Sequence, residues 1–379
     1  MFVERTATLF CLGARDMSRT VVVVGGGYGG TAVAKALDAE ADVVLIDPRD
    51  AFVNAVGSLR ALVRPDWAGN IFFPYDTLLA RGEVIRDRAA SVDPGGVTLA
   101  SGRRVEADYL VLATGSTYAY PAKPTADSAG EALEHLRGTH KELAAAARVL
   151  IVGAGPVGLE LAGEIKEVWP TKDVTVLDPA DRLLPAFLPE VREDLHRQLD
   201  ELGVRLRLGT GLAGQPATEP GRAGEFTVAT TDGAEITADI WFRAYGVRVN
   251  SDYLADGLLL ERTELGQVRV GETLAVEGHP HVYAVGDLTD VAEPKMAGNA
   301  GRHAEVVARN ILAQLKGEPA EAVYQPLSHA AMLVPLGPRG GVGQLPGPDG
   351  PFFAPAATVA QYKGGDLFTA QYIELFGRV

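Results

Sequence analysis

The chain has 379 residues, enough for two or three domains, and 47% of them are apolar, enough for real cores. Its 35 basic side chains against 49 acidic ones give a net charge of −14, which argues against functions built on non-specific attraction to nucleic acid or acidic lipid. Cys11 is the only cysteine, which within one chain excludes a disulfide, a C-x-x-C redox pair, an iron–sulfur cluster and a cysteine-based zinc site.

Residues 1–17 carry Glu4, Arg5, Arg15 and Asp16 around a short apolar stretch, with no basic start and no A-x-A cleavage signal. They read as a disordered extension, and Met17 stands just ahead of the first strand as an alternative start. No apolar run reaches the roughly 18 residues of a membrane-spanning helix. A cytoplasmic protein is expected, and the lone cysteine fits a reducing compartment.

The first unit opens with a strand over 21–24. It runs into Gly25-Gly26-Gly27-Tyr28-Gly29-Gly30 and then a helix over 31–37. In a G-x-G-x-x-G turn between strand and helix, the glycines let the backbone approach a pyrophosphate, and the helix N-terminus brings free amides to it. A second strand over 42–46 ends at Asp47, about 20 residues past the glycines, where a ribose hydroxyl needs an acceptor. Gly25, Gly27, Gly30 and Asp47 therefore form a candidate dinucleotide site. Residues 49–108 hold shorter β-like pieces, including Val84-Ile85 and Val97-Thr98-Leu99, broken by the turn Asp93-Pro94-Gly95-Gly96. Residues 109–112 form a buried strand that ends in the small-residue turn Ala113-Thr114-Gly115, and 121–124 read as a crossing linker.

The same parts then recur. An alanine-rich helix around 141–147 leads to a strand over 149–152, the turn Gly153-Ala154-Gly155-Pro156-Val157-Gly158, and a strand over 173–177 ending at Asp178. One such turn is a weak signal, but strand, glycines, helix and acid repeated in order mark a second dinucleotide site at Gly153, Gly155, Gly158 and Asp178. Asp178 favours NADH over NADPH because an acid repels a 2′-phosphate, with Arg182 four residues on as a counterweight. A Gly/Pro-rich hairpin is expected over 211–224, and Ala244-Tyr245-Gly246 stands where Ala113-Thr114-Gly115 stands in the first unit.

The chain then returns to the first unit. Residues 281–285 form an apolar strand ending in Gly286-Asp287, and 301–315 carry helical spacing at Val306, Val307, Ile311, Leu312 and Leu315. Residues 317–379 make a third piece rich in glycine and proline. Its pairs Leu367-Phe368, Tyr372-Ile373 and Leu375-Phe376 suit core packing, a cover for a cofactor, a dimer contact or a rest on a membrane surface, of which core packing is the commonest. The seven histidines form neither H-x-x-x-H nor H-E-x-x-H, so no metal site is expected. His329 has no glutamate five residues on, and with no C-x-x-C a disulfide reductase is set aside.

Taken together, Ala113-Thr114-Gly115, Gly286-Asp287 and the two glycine turns resemble the two-dinucleotide-domain flavoproteins, in which FAD binds the first unit and NAD(P)H the second. Four further stretches narrow the resemblance: 160–166 (ELAGEIK), Val276-Glu277-Gly278-His279, Pro294-Lys295-Met296-Ala297 and Gly341-Val342-Gly343-Gln344. They are similar to the ferroptosis-suppressor, apoptosis-inducing-factor-like family of NAD(P)H:quinone oxidoreductases, near the type II NADH dehydrogenases. The expected fold is α/β: two Rossmann-like dinucleotide-binding domains plus a small α+β C-terminal region. The FAD domain is expected over 18–120 and 270–316, the NAD(P)H domain over 121–269, and the C-terminal region over 317–379.

The resemblance also implies roles. Asp287 would bind the ribityl chain of FAD, with Gly286 letting the backbone pass close by. Ala113, Thr114, Gly115, Met296 and Ala297 would contact FAD, and Gly246 would contact NAD(P)H. Lys295 would set a positive charge beside the flavin. Glu160 either faces the nicotinamide edge or complements the helix dipole. Tyr245 departs from the Thr-Gly that family members often have there.

The implied activity is FAD-dependent transfer of hydride from NAD(P)H to flavin, and of two electrons on to a small-molecule quinone, by a monomer or homodimer. Two rivals are a reductase of a protein acceptor such as ferredoxin, which needs a basic docking patch, and a non-catalytic NADH-binding redox sensor. The family's myristoyl anchor needs a glycine after the initiator methionine. Phe2 and Ser18 exclude it here, so any peripheral membrane contact would arise elsewhere.

Overall fold

The computed structural model describes residues 19–377; the expected extension over 1–17 lies outside them. Runs of valine, leucine and isoleucine buried on both faces are what a parallel sheet covered by helices demands. Thr20–Val24 is such a run and is central to a six-stranded sheet. The order across that sheet is Ala275–Val276, His279–Ala284, Tyr109–Leu112, Thr20–Val24, Asp42–Asp47 and Glu83–Arg86. All neighbours run parallel except the first pair, so the late strand His279–Ala284 does rejoin the opening unit. The helix Tyr28–Leu37 lies against Ala297–Leu315, and Gly29 allows the approach, since a Cβ there would stand 3.4 Å from Ala300 O.

The second sheet repeats the plan in four parallel strands, ordered Val204–Leu208, Asp173–Asp178, Arg148–Val152 and Ile240–Arg243. Two crossings join the units, and they pair with each other as short antiparallel strands, Ser116–Thr117 with Arg248–Val249. Leu254, Leu259 and Val268 pack with Val22, Val276 and Val282 under the first sheet, so the chain touches that core before residue 270.

The hairpin falls later than the glycine and proline content suggests. Residues 211–224 are irregular apart from a single bridge of Leu212 to Thr230, and the paired strands are Phe226–Ala229 and Glu235–Ala238, where alternating burial gives each strand one face to pack. The helices start earlier than expected: Ala129–Ala145 begins well before the alanine run and ends inside it, and Ala297–Leu315 begins right after the extended Met296. The third piece is a three-stranded antiparallel sheet, Met332–Leu336, Gly340–Leu345 and Phe352–Ala354, followed by the π-helical turn Ala360–Gly364 and the helix Thr369–Leu375. Among the described residues no helix is long and apolar enough to cross a membrane.

Candidate functional site

The two glycine turns are built alike. Gly25 has φ +106° and Gly153 has φ +114°, a left-handed region that favours glycine. A Cβ on either would stand 2.5 Å from a carbonyl of the facing strand end, that of Ala113 or Ala244. The last glycine presses on the first: a Cβ on Gly30 would lie 1.8 Å from Gly25 O, and one on Gly158 1.9 Å from Gly153 O. The middle glycines face the other way. Nothing lies within 4 Å of a Cβ built on Gly27 or Gly155, so each turn leaves an open cradle at a helix N-terminus.

Each acid closes its own turn. Asp47 Oδ2 accepts from Gly26 N at 2.6 Å and Oδ1 from Arg49 N at 2.8 Å. Asp178 Oδ2 accepts from Ala154 N at 2.6 Å and Oδ1 from Ala180 N at 2.8 Å. Asp47 is 5% exposed, and burial lifts its carboxyl above the usual range against the pull of Arg49 and the Gly26 amide. A carboxylate oxygen accepts more than one hydrogen bond, so both acids keep acceptor capacity for a ribose.

Arg49 was not singled out from sequence. Its Nε is buried with no partner, an orphan donor on the loop that follows Asp47.

Opposite the first turn, Thr114 Oγ1 donates to Asn250 O at 2.6 Å and Asn250 Nδ2 to Thr114 O at 3.0 Å. That exchange pins the small-residue turn of Ala113, Thr114 and Gly115 to the returning chain. Gly246 holds φ +92° with open space at its Cβ position. Tyr245 beside it is 43% exposed, with the Arg243 guanidinium 5.7 Å from its ring centre.

Asp287 accepts from Ser116 Oγ at 2.5 Å, and Lys123 Nζ lies 3.6 Å from the same oxygen. Lys123 also donates to Ser116 O at 2.7 Å; burial lowers its pKa, and Asp287 opposes the shift. Lys295 Nζ donates to Thr289 O at 2.8 Å and Val291 O at 3.2 Å. Burial lowers its pKa, opposed by Asp287, Glu293 and Asp290, so the ammonium is fixed in its own loop within the field of Asp287. Met296 and Ala297 stand at the start of the long helix behind this loop.

Glu160 lies in the helix Pro156–Val168 that follows the second glycine turn, and it is buried. Its Oε1 accepts from Lys363 Nζ at 2.8 Å, and Lys363 also donates to Leu333 O at 2.9 Å. Burial pushes the Glu160 carboxyl up, with Lys363 pulling it back. A turn further on, Glu164 Oε1 takes Arg60 Nε at 3.0 Å and Nη2 at 2.7 Å, both side chains 4% exposed. Arg60 donates onward to Gly364 O at 2.7 Å and Gly365 O at 3.0 Å. Asn54 Nδ2, with Tyr28 OH on its Oδ1, donates to Leu367 O at 2.8 Å. Both dinucleotide units thus grip the same C-terminal segment.

Of the C-terminal pairs, Leu367, Tyr372 and Phe376 are buried, and Phe52 meets Tyr372 at 4.7 Å and Phe376 at 5.5 Å between ring centres. Tyr362 and Ile373 face outward. Lys363, Arg60 and Lys123 are not legible in the sequence because Glu160, Glu164 and Asp287 are remote in the chain, and Arg49 because no partner marks its Nε. The one local signal is Arg60, the only charge in the fully buried helix Ser58–Val63.

Residues 19–304 match the sequence model of the pyridine nucleotide-disulphide oxidoreductase family. The chain is 34% identical to ferroptosis suppressor protein 1 of Taeniopygia guttata, covering 96% of this chain and 97% of that protein. It is 31% identical to apoptosis-inducing factor homolog B of Dictyostelium discoideum, covering 86% and 89%. The sulfide:quinone oxidoreductase of Aquifex aeolicus has the same fold, with a TM-score of 0.74 at 20% identity over 95% of this chain and 91% of that one.

Proposed function

The chain belongs to the pyridine nucleotide-disulphide oxidoreductase family, and from that premise we propose that it passes electrons from NAD(P)H through FAD to a quinone. Membership makes it an NAD(P)H-dependent flavoprotein oxidoreductase; the acceptor and the residue roles are our assignment. The first glycine turn, with Asp47, Arg49 and Asp287, would hold FAD, and the second, with Asp178 and Gly246, would hold NAD(P)H. The cradles at Gly27 and Gly155 and the orphan Nε of Arg49 fit such guests. Bound FAD supplies a two-electron carrier between nicotinamide and acceptor. Asp178 favours NADH by repelling a 2′-phosphate.

The observation that carries the quinone reading is the buried Lys363–Glu160 pair. A quinone takes up protons with its electrons, so its site needs a titratable group held out of bulk water. Glu160 comes from the nicotinamide side and Lys363 from the C-terminal segment. Lys363 Nζ, steadied by Leu333 O, holds a proton where it can be given to an acceptor oxygen; the amine left behind stays paired with the Glu160 carboxylate and takes its next proton from solvent. Lys295 adds a fixed positive charge near Asp287 on the flavin side. A single cysteine leaves no dithiol relay within the chain, which turns the reading away from a disulfide acceptor.

Rapid mixing tests this. In the FAD-loaded Lys363→Met variant, flavin bleaching by NADH is expected within about threefold of the parent, while reoxidation by a short-chain quinone slows about 100-fold, the scale of a lost general acid. Unchanged reoxidation would remove Lys363 as the acid, and a parent flavin that the quinone does not reoxidise would remove the quinone reading.

A further inference from the structure

Behind the turn Gly286–Leu288 lies a buried polar chain that the reading above leaves unused. A Cβ on Gly286 would stand 3.2 Å from Ala300 Cβ, so the turn rests directly on the helix Ala297–Leu315. One turn along that helix, His303 Nδ1 accepts from Gly286 N at 3.0 Å. An amide N–H needs a bare nitrogen, so the imidazole is the neutral tautomer with its proton on Nε2. Nε2 lies 2.9 Å from Glu293 Oε1, but off the line of the ring N–H, so the contact is electrostatic rather than a formed hydrogen bond.

Tyr324 OH donates to Glu293 Oε2 at 2.6 Å, and the Tyr324 ring meets the imidazole edge-on at 4.2 Å. Arg302 stacks 4.9 Å from the Tyr324 ring centre and donates to Gln325 O at 2.6 Å. The groups facing His303 are therefore Glu293, Tyr324, Arg302, Lys295 and Asp287. His303 is 1% exposed, and burial, with Lys295 and Arg302 adding to it, holds its pKa down to about 4.

We propose that His303 is a positioning residue of the FAD site: its bare Nδ1 holds the Gly286 amide and thereby aims the adjoining Asp287 carboxylate at the cofactor. The proposal rests on the assignment of FAD to the first unit. Without the acceptor, the Gly286 amide, in a half-buried turn packed on the helix, loses its partner, and the turn relaxes to satisfy it. In this role His303 acts only through the turn.

Release of FAD from the holoprotein on dilution, followed by flavin fluorescence, tests the proposal, with the visible circular dichroism of bound flavin as a second readout. Asparagine places an amide oxygen near the Nδ1 position, glutamine places it near Nε2, and leucine supplies no acceptor. His303→Asn is expected to keep FAD affinity within about threefold of the parent and to keep the dichroism. His303→Leu and His303→Gln are expected to weaken affinity about tenfold, the scale of one net hydrogen bond, and to alter the dichroism.

Equal affinity in all variants, or an equal loss in His303→Asn and His303→Gln, would overturn the proposal. Should His303→Leu not fold, the Asn and Gln pair decides alone. A parent protein without FAD would overturn the cofactor assignment and this inference together, whereas a parent that holds FAD with indifferent variants overturns only the role of His303.

Discussion

Gly27 and Gly30 stand three residues apart and meet opposite surroundings. A Cβ on Gly30 would lie 1.8 Å from Gly25 O, whereas one on Gly27 meets open space at an ordinary φ of −81°. Gly30→Ala is therefore expected to destabilise the FAD-free protein by about 1–3 kcal/mol through overpacking. Gly27→Ala should leave it within about 0.5 kcal/mol yet abolish FAD retention, because the new methyl fills the cradle. Chemical denaturation and flavin occupancy measure the two effects, and a Gly27→Ala protein that holds FAD normally would contradict the cradle.

His303 gives a pH signature at the same scale. Its pKa is about 4 folded against 6.5 as reference, so between those values the unfolded chain binds the extra proton. The stability due to a neutral His303 is full above pH 6.5 and falls as pH drops toward 4, by about 3 kcal/mol. His303→Asn should flatten that slope in denaturation measured across this window, and an unchanged slope would assign it to other groups. The glycines and acids were legible because turn and acid close on each other within one strand–helix–strand unit, as in the 21-residue separation of Gly26 and Asp47. Lys363 was not, since its partner Glu160 is 203 residues away and only folding makes the pair.

At the scale of elements, the six-residue helix Ser58–Val63 ties the units together. Arg60 on it spans Glu164 of the second unit and the carbonyls of Gly364 and Gly365, while Glu164 Oε2 stays buried without a partner. Arg60→Met would strand the Glu164 charge, at a cost of about 3–5 kcal/mol. Arg60→Met with Glu164→Leu removes both charges and should recover most of that loss. Urea unfolding of the single and double variants decides, and a double variant no better than the single would count against a stranded charge.

The inner strands of both sheets could be read from continuous β-branched and aliphatic runs, because burial on both faces leaves no polar register to obscure them, whereas the edge strand Val204–Leu208 is interrupted by Arg205 and Arg207 and could not. The C-terminal segment could not. Tyr372 and Phe376 are apolar in any reading, and only the facing Phe52 and Phe73 settle that they pack inward. The hairpin over 226–238 was placed too early because glycine and proline mark turns without saying which neighbouring residues will pair.

Across the whole molecule, two units of one plan bring their glycine turns and acids to matching positions, and a C-terminal segment is gripped by both. The α/β architecture with a small α+β third piece follows from the repeat and from the returning strand His279–Ala284. The net charge of −14 counts mildly against a ferredoxin reductase, whose acidic partner calls for a basic docking face.

The central claim is electron flow from nicotinamide through flavin to quinone. Its most direct test is anaerobic absorbance of the FAD-loaded protein, with NADH added first and a short-chain quinone second. The account predicts fast bleaching of the flavin band by NADH and fast, complete recovery on addition of quinone. Bleaching that no quinone reverses would contradict it.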